Sequence, residues 1–201
     1  MAATPREKGE HFNYRDYLAW DDDRRFELID GRIYDVSPAP NRAHQEILME
    51  FAALLHEFYV GKPCRVYPAP FDVRLPRAGQ DDMETDTVVQ PDISVVCDQN
   101  KLDDSGCRGA PDIVVEIISP ATASKDQVRK LQLYEQHGVR EYYIVHPADR
   151  LVRVYRLAAD GRFSRDEVYD QQGEIESGVA EGLRIKVAQL FKNLPPVDEA
   201  K

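Results

Sequence analysis

The sequence predicts a mixed α/β domain, a central β-sheet with helices packed against it, and three observations predict it. The run PDIVVEIIS, Pro111 to Ser119, is an unbroken β-branched stretch of the kind that lies buried on both faces of a sheet. A helical segment and a second apolar strand, EYYIVHP, follow it. A helix linking two central strands makes those strands parallel. Earlier, RAHQEILMEFAALLHEFY sets Ile47, Leu48, Phe51, Leu54, Leu55 and Phe58 at helical spacing, so one face of that helix is expected to pack on the core.

The remaining elements follow in order. NYRDYLAWDDDRR reads as a short helix ending in the solvated charges Asp21 to Asp23. FELIDGRIYDV alternates apolar and polar residues around Asp30-Gly31, which predicts an N-terminal hairpin with a two-residue turn. The long helix stops at Gly61 and Pro63. CRVYPAPFDVRLP reads as one or two strands broken by prolines, RAGQDDMETD as a loop, VVQPDISVVCD as one strand and QNKLDDSGCRGA as a loop. Ser124-Lys-Asp-Gln127 has the capping-box pattern and opens the helix that ends at Gly138. LVRVYRL and a partner after Asp160-Gly161 predict a C-terminal β-hairpin, and NLPPVDEAK a frayed tail. No repeat or glycine-rich linker divides the chain, so a single domain over residues 1–201 is expected, with its core at about 17–157 and the tail at about 193–201.

A net charge of -10 argues against a protein that coats nucleic acid indiscriminately. The segment from Lys125 to Arg165 nevertheless carries nine basic residues against five acidic ones. A basic surface beside an acidic cluster suits metal-assisted chemistry on a phosphate polymer, although an ordinary solvated face has the same composition. No apolar run approaches the ~20 residues that span a bilayer, and MAATPREKGEHF lacks the apolar centre of a signal peptide. A cytoplasmic protein without a membrane partner is expected. Cys64, Cys97 and Cys107 are odd in number and lack close pairing, so reduced, mostly buried thiols are expected rather than a metal site. No glycine-rich phosphate cradle appears.

Glu116 is the anomaly. An unpaired carboxylate inside such a strand costs several kcal/mol or gives up its charge. Alternation puts Asp112, Val114, Glu116 and Ile118 on one strand face. Should the strand begun by Pro91-Asp92 lie alongside, Asp92 approaches Glu116, and two carboxylates together ask for a hard, oxygen-ligated cation such as magnesium. The competing reading is a structural ion pair between Glu116 and Lys130 or an arginine. From the residues alone both stand.

Pro91-Asp92, with Glu116 in a hydrophobic strand followed by a helix, resembles the PD-(D/E)XK nuclease superfamily. More narrowly, FELIDGRIYDVSPAP, RAHQEI, PDIVVEIISPATASKDQVRKLQLYEQHGV and REYYIVHP resemble, in order, a bacterial restriction-endonuclease-like family formerly catalogued as a domain of unknown function. The resemblance implies a restriction-endonuclease-like core and magnesium- or manganese-dependent hydrolysis of phosphodiester bonds in DNA. It implies Asp92, Glu116 and the backbone carbonyl of Ile117 as metal ligands. The superfamily's lysine usually stands two residues after the acid, where this chain has Ile118. The family resemblance moves that role to the following helix, to Lys130, with Asp126 and Tyr134 one turn to either side. Lys130 is favoured over Lys125 at the helix start.

Glu27 matches the family's early acid, which completes the metal shell or supports it, and read by itself it is equally a plain polar strand position. His44, on the inward face of its helix, matches a histidine near the family's site, where a lone histidine on an apolar face is otherwise a satisfied core residue. Asp112 serves either as a ligand or as the start of its strand. Cutting both DNA strands needs two opposed sites, so a homodimer is implied. No helix-turn-helix, zinc finger or long basic arm is present to read bases. The missing strand lysine keeps a second reading alive, a catalytically inactive binding or assembly module with the same fold. A glycosidic hydrolase using Glu116 as general acid is a third, disfavoured by a single tryptophan.

Overall fold

The computed structural model describes residues 11–20, 25–35, 40–118 and 125–195. The Asp21–Asp23 run, the Ser124 cap and the tail beyond residue 195 lie outside the described residues. The chain runs α1 (Tyr14–Leu18), β1 (Phe26–Ile29), β2 (Arg32–Asp35), α2 (Arg42–Tyr59), β3 (Arg65–Pro68), β4 (Val73–Arg74), β5 (Val88–Val89) and β6 (Ile93–Val96). It continues through β7 (Leu102–Asp103), β8 (Gly106–Arg108), β9 (Ile113–Ile117), α3 (Lys125–His137), β10 (Glu141–His146) and β11 (Leu151–Arg156). The last elements are β12 (Glu167–Tyr169), β13 (Glu174–Glu176), β14 (Arg184–Lys186) and α4 (Val187–Leu190).

Two six-stranded sheets and a small hairpin result. The main sheet has the order β12-β11-β10-β9-β6-β3, and the second β2-β1-β5-β4-β8-β7. β9 and β10 are parallel, joined by α3 as their sequence order requires, while β6 runs antiparallel to β9. The mixed α/β fold expected from the sequence is what forms. Asp30 and Gly31 both have positive φ, 49° and 71°, the mirror-image turn that suits a two-residue hairpin. Gly31 suits that positive φ, and a Cβ there would stand 2.2 Å from the exposed His11 ring, which would have to move aside.

Asn41 caps α2 by accepting from the His44 amide, and the helix buries Ile47, Phe51 and Leu55. Each such side chain contributes about 1.5–3 kcal/mol by leaving water, which holds the helix on the sheet. Its partners are Ile93, Val95, Ile113, Val115, Ile117 and Tyr143 from one face of the main sheet. The opposite face, with Val96, Val114, Tyr142 and Ile144, packs on Leu133 and Tyr134 of α3 and on Ile29, Val73 and Val89 of the second sheet. Beyond Leu157 the core also takes Ile175, Leu183, Ile185, Val187 and Phe191. No helix among the described residues is long and apolar enough to cross a membrane.

Several sequence expectations change. VVQPDISVVCD is two strands, because Pro91 has no amide hydrogen to continue a ladder and the chain passes there from the second sheet to the main one. QNKLDDSGCRGA holds the small hairpin β7–β8 rather than a plain loop. The C-terminal hairpin, by contrast, forms as expected: the partner of β11 after Asp160-Gly161 is β12, whose pairing sets Arg153 opposite Val168, with one bridge between Leu157 and Phe163 at the turn end.

The expectation of three reduced thiols is overturned: Cys64 and Cys97 form a disulfide, and only Cys107 is free and buried. The antiparallel pairing of Arg65 with Val96 brings these cysteines together across a sequence separation of 33. Loop-closure entropy for that separation gives roughly 3–4 kcal/mol of stabilisation. Reduction, or Cys64→Ser with Cys97→Ser, is expected to lower the urea midpoint accordingly, and a midpoint unchanged by reductant would show that the bond does not form in solution.

Glu141, 1% exposed, anchors the C-terminal segment. Its carboxylate accepts from Tyr143 Oη, Ser177 Oγ and the Gly178 amide, each at 2.6 Å, and from Arg156 Nε at 3.0 Å. Glu141→Ala strands those buried donors. It is expected to cost about 3 kcal/mol in chemical denaturation; a cost below half of that would show the anchor to be dispensable.

Candidate active site

The antiparallel register pairs Ile93 with Val115, and one further step sets Asp92 opposite Glu116. Glu116 lies on the face of β9 that carries Val114 and looks toward α3 and the second sheet. Its Oε1 accepts from Lys130 Nζ at 2.9 Å and from Tyr134 Oη at 2.8 Å. Lys130 and Tyr134 are one turn apart, so a single helix face delivers both groups. Lys130 Nζ also donates to Glu27 Oε1 at 2.9 Å, joining β1 to β9 through α3. The structure thus brings Glu27, Asp92, Glu116, Lys130 and Tyr134 into one neighbourhood.

Asp92 is held on both oxygens. Oδ2 accepts from the Ile117 amide at 2.7 Å, and Oδ1 lies 3.1 Å from His44 Nε2. His44 thus reaches the site from α2, and its buried Nδ1 has no hydrogen-bond partner among the described residues. The Asp92 carbonyl accepts from the Ala69 amide at 2.9 Å, extending the β3–β6 ladder to the site.

Two carboxylates, Glu116 and Glu27, share one ammonium, and Asp92 stands beside Glu116. Desolvation pushes the Glu116 carboxyl up to about 7; Lys130 opposes the shift, while Asp92 and Glu27 add to it. Burial works against the Lys130 ammonium, yet Glu116 and Glu27 together hold its pKa well above the usual lysine value. The two partners respond differently because Lys130 sees two carboxylates, whereas Glu116 shares its ammonium with Glu27. Burial, then the Glu116 charge, keeps Tyr134 protonated as a donor.

Two candidates lie elsewhere. Asp112 sits at the far end of β9, where it accepts from the Cys97 amide at 2.8 Å and from Arg140 Nη1 at 3.2 Å. It fixes the start of the strand, about 13 Å from Glu116 at ~3.3 Å per residue, and is not brought to the site. Asp126 falls in the first turn of α3, and its side chain, like that of Lys125, lies outside the described residues.

The sequence reading missed the support behind Glu27. The Gln90 amide donates to Glu27 Oε1 at 3.0 Å. The Gln90 side chain donates to Asp72 at 2.7 Å and Tyr17 Oη at 3.2 Å, and accepts from Arg25 Nε at 2.9 Å. Its position just before Pro91-Asp92 was the available signal, but a glutamine there carries no chemistry of its own.

Among the described residues, no group of three or more His, Cys, Asp or Glu side chains is spaced to hold an ion by itself. Asp92 and Glu116 are two carboxylates side by side, and magnesium is commonly held by one or two carboxylates with the rest of its shell left to water and substrate oxygens. Desolvation is the main cause of the upward shift of Glu116, with Asp92 and Glu27 adding to it, and a cation bound there would favour its ionised form.

A family model described as Uma2, "Putative restriction endonuclease", matches residues 14–188. The chain belongs to this family. All the clustered residues fall within the matched span. A relative in Synechocystis sp. (strain ATCC 27184 / PCC 6803 / Kazusa), the uncharacterized protein slr1290, is 24% identical over 164 residues, covering 80% of this chain and 82% of that protein. A crystal structure described as a putative nuclease belonging to DUF820, from Anabaena variabilis ATCC 29413, superposes with a TM-score of 0.72 at 21% identity. That superposition covers 90% of this chain and 98% of the other, so the Uma2-family fold is shared almost throughout.

Proposed function

We propose that this Uma2-family protein is a metal-dependent endonuclease that hydrolyses phosphodiester bonds in DNA, using magnesium or manganese. The observation that carries the reading is the double contact of Lys130 with Glu116 and Glu27, opposite Asp92. A lysine from α3 supplies the ammonium that Ile118 cannot.

Asp92, Glu116 and the carbonyl of Ile117 are the groups proposed to hold the ion. The ion would polarise the phosphoryl oxygen and lower the pKa of a bound water. Lys130 Nζ donates to the attacking water and to the negative charge that develops on the phosphoryl oxygens. Glu27, held by the Gln90 amide, keeps Lys130 aimed and charged. Tyr134 Oη and the Ile117 amide fix the carboxylates so that little reorganisation accompanies the reaction. A homodimer would carry two such centres, and the proposed location is the cytoplasm, where the Cys64–Cys97 bond would have to persist against a reducing thiol pool.

The test incubates supercoiled and linear DNA with the protein and magnesium, manganese or chelator. Nicking or cutting that needs the metal is expected. Metal-dependent DNA binding without cleavage would instead favour the inactive module suggested by Ile118.

A further inference from the structure

Half-buried aromatic rings flank the carboxylates on two sides. Tyr67 pairs with Ser94 on β6, so on that face its diagonal neighbour is Asp92. Tyr67 stacks on Phe71, with ring centroids 4.3 Å apart and planes 5° from parallel. On the other side, Tyr34 is the direct cross-strand partner of Glu27. The Arg129 guanidinium, next in sequence to Lys130, lies 4.5 Å from the Tyr34 ring centroid. All three rings are only partly buried. Tyr134 and Tyr142, which pack in the same core, are 0% and 1% exposed. The flanking rings therefore form the rim of the site, while the deeper tyrosines fill its floor.

A base hangs one sugar away from the phosphate being cut, and neighbouring strands of a sheet are about 4.8 Å apart. Rings placed beside Asp92 and Glu27 are thus within reach of bases on either side of a phosphate held at the carboxylates. In a duplex the base faces are covered by stacked neighbours. Only an unstacked base can lay its face on a protein ring or a guanidinium plane, and such stacking is indifferent to sequence.

We propose that the Tyr67–Phe71 stack and the Tyr34–Arg129 pair are two stacking platforms, and that the substrate is nucleic acid that is single-stranded, or locally unstacked, across the scissile phosphate. This rests on the nuclease reading and narrows it to a class of substrate.

The experiment measures fluorescence anisotropy of a labelled oligodeoxythymidylate, the abasic strand of equal length and a duplex of equal length. Calcium replaces magnesium to prevent turnover, and the series is repeated in chelator. The wild type is expected to bind the base-bearing strand more tightly than either the abasic strand or the duplex. Tyr34→Leu, Tyr67→Leu and Phe71→Leu should each weaken that binding about five- to hundredfold while leaving the abasic strand unaffected; Tyr67→Phe, which keeps the ring, should bind as the wild type does.

Equal affinity for base-bearing and abasic strands, or tighter duplex binding, overturns the proposal and requires no variant to fold. Folded leucine variants that bind as the wild type does overturn it as well. Metal-dependent cleavage of duplex with no ring effect removes this inference alone. Ring-dependent binding without cleavage under any metal removes the nuclease reading alone.

Discussion

Lys130→Met is expected to lower metal-dependent cleavage by roughly a thousandfold, the scale of losing one preorganised donor to developing charge. Methionine keeps an apolar stem out to Cε and lacks the ammonium, so the change largely isolates charge from packing. Stability responds too. Without the ammonium, Glu27 and Glu116 face each other in a buried site, and removing one partner of such a cluster costs about 3–5 kcal/mol. Proton uptake by Glu116, already lifted to about 7 by desolvation, limits that cost. The destabilisation should therefore be larger at pH 8 than at pH 6. Single-turnover cleavage and urea unfolding at both pH values check the two parts. Cleavage within tenfold of wild type would remove Lys130 from the chemistry, and Lys125 would become the group to examine.

For Glu116→Gln the two readouts move in opposite directions. Cleavage is expected to fall at least a thousandfold, because glutamine is a far poorer ligand for a hard cation and cannot share charge with Lys130. The metal-free protein is expected to become more stable. Glu116 has a folded pKa raised from 4.5 to about 7, by desolvation first and by Asp92 and Glu27 after it. A carboxyl shifted upward favours the fold while protonated, and that contribution is lost as pH rises from the unfolded value through the folded one. Above pH 7 the wild type thus carries a penalty of up to roughly 3 kcal/mol, and the variant does not. Thermal unfolding in chelator should show the gain at pH 8 and little difference at pH 4. Saturating magnesium should then stabilise the wild type and not the variant. A Glu116→Gln protein that is less stable than wild type at pH 8 would return Glu116 to the structural ion-pair reading.

How much of this was legible follows from how local each signal is. The Asp30-Gly31 turn, the inward face of α2 and the alternation along PDIVVEII are set within a few residues by backbone sterics and side-chain period, and all three form as expected. The parallel pairing of β9 with β10 followed from chain order alone. The proximity of Asp92 and Glu116 was conditional on which strands became neighbours, and the antiparallel register of β6 with β9 met that condition.

Other features depended on distant parts of the chain. Lys130 meets Glu27 across 103 residues, and Gln90 meets Glu27 across 63; no local pattern encodes either contact. The Cys64–Cys97 bond was misjudged because the two thiols are brought together by strand pairing, not by spacing. VVQPDISVVCD looked like one strand because composition does not reveal a change of sheet, although Pro91 marked the place. By itself the sequence determined the elements, the apolar faces and the residue types at the site, since propensity and periodicity act over a turn or a strand. Only the tertiary structure decided which lysine answers the buried glutamate and which rings border it, because register and sheet order are settled by burying the whole core at once.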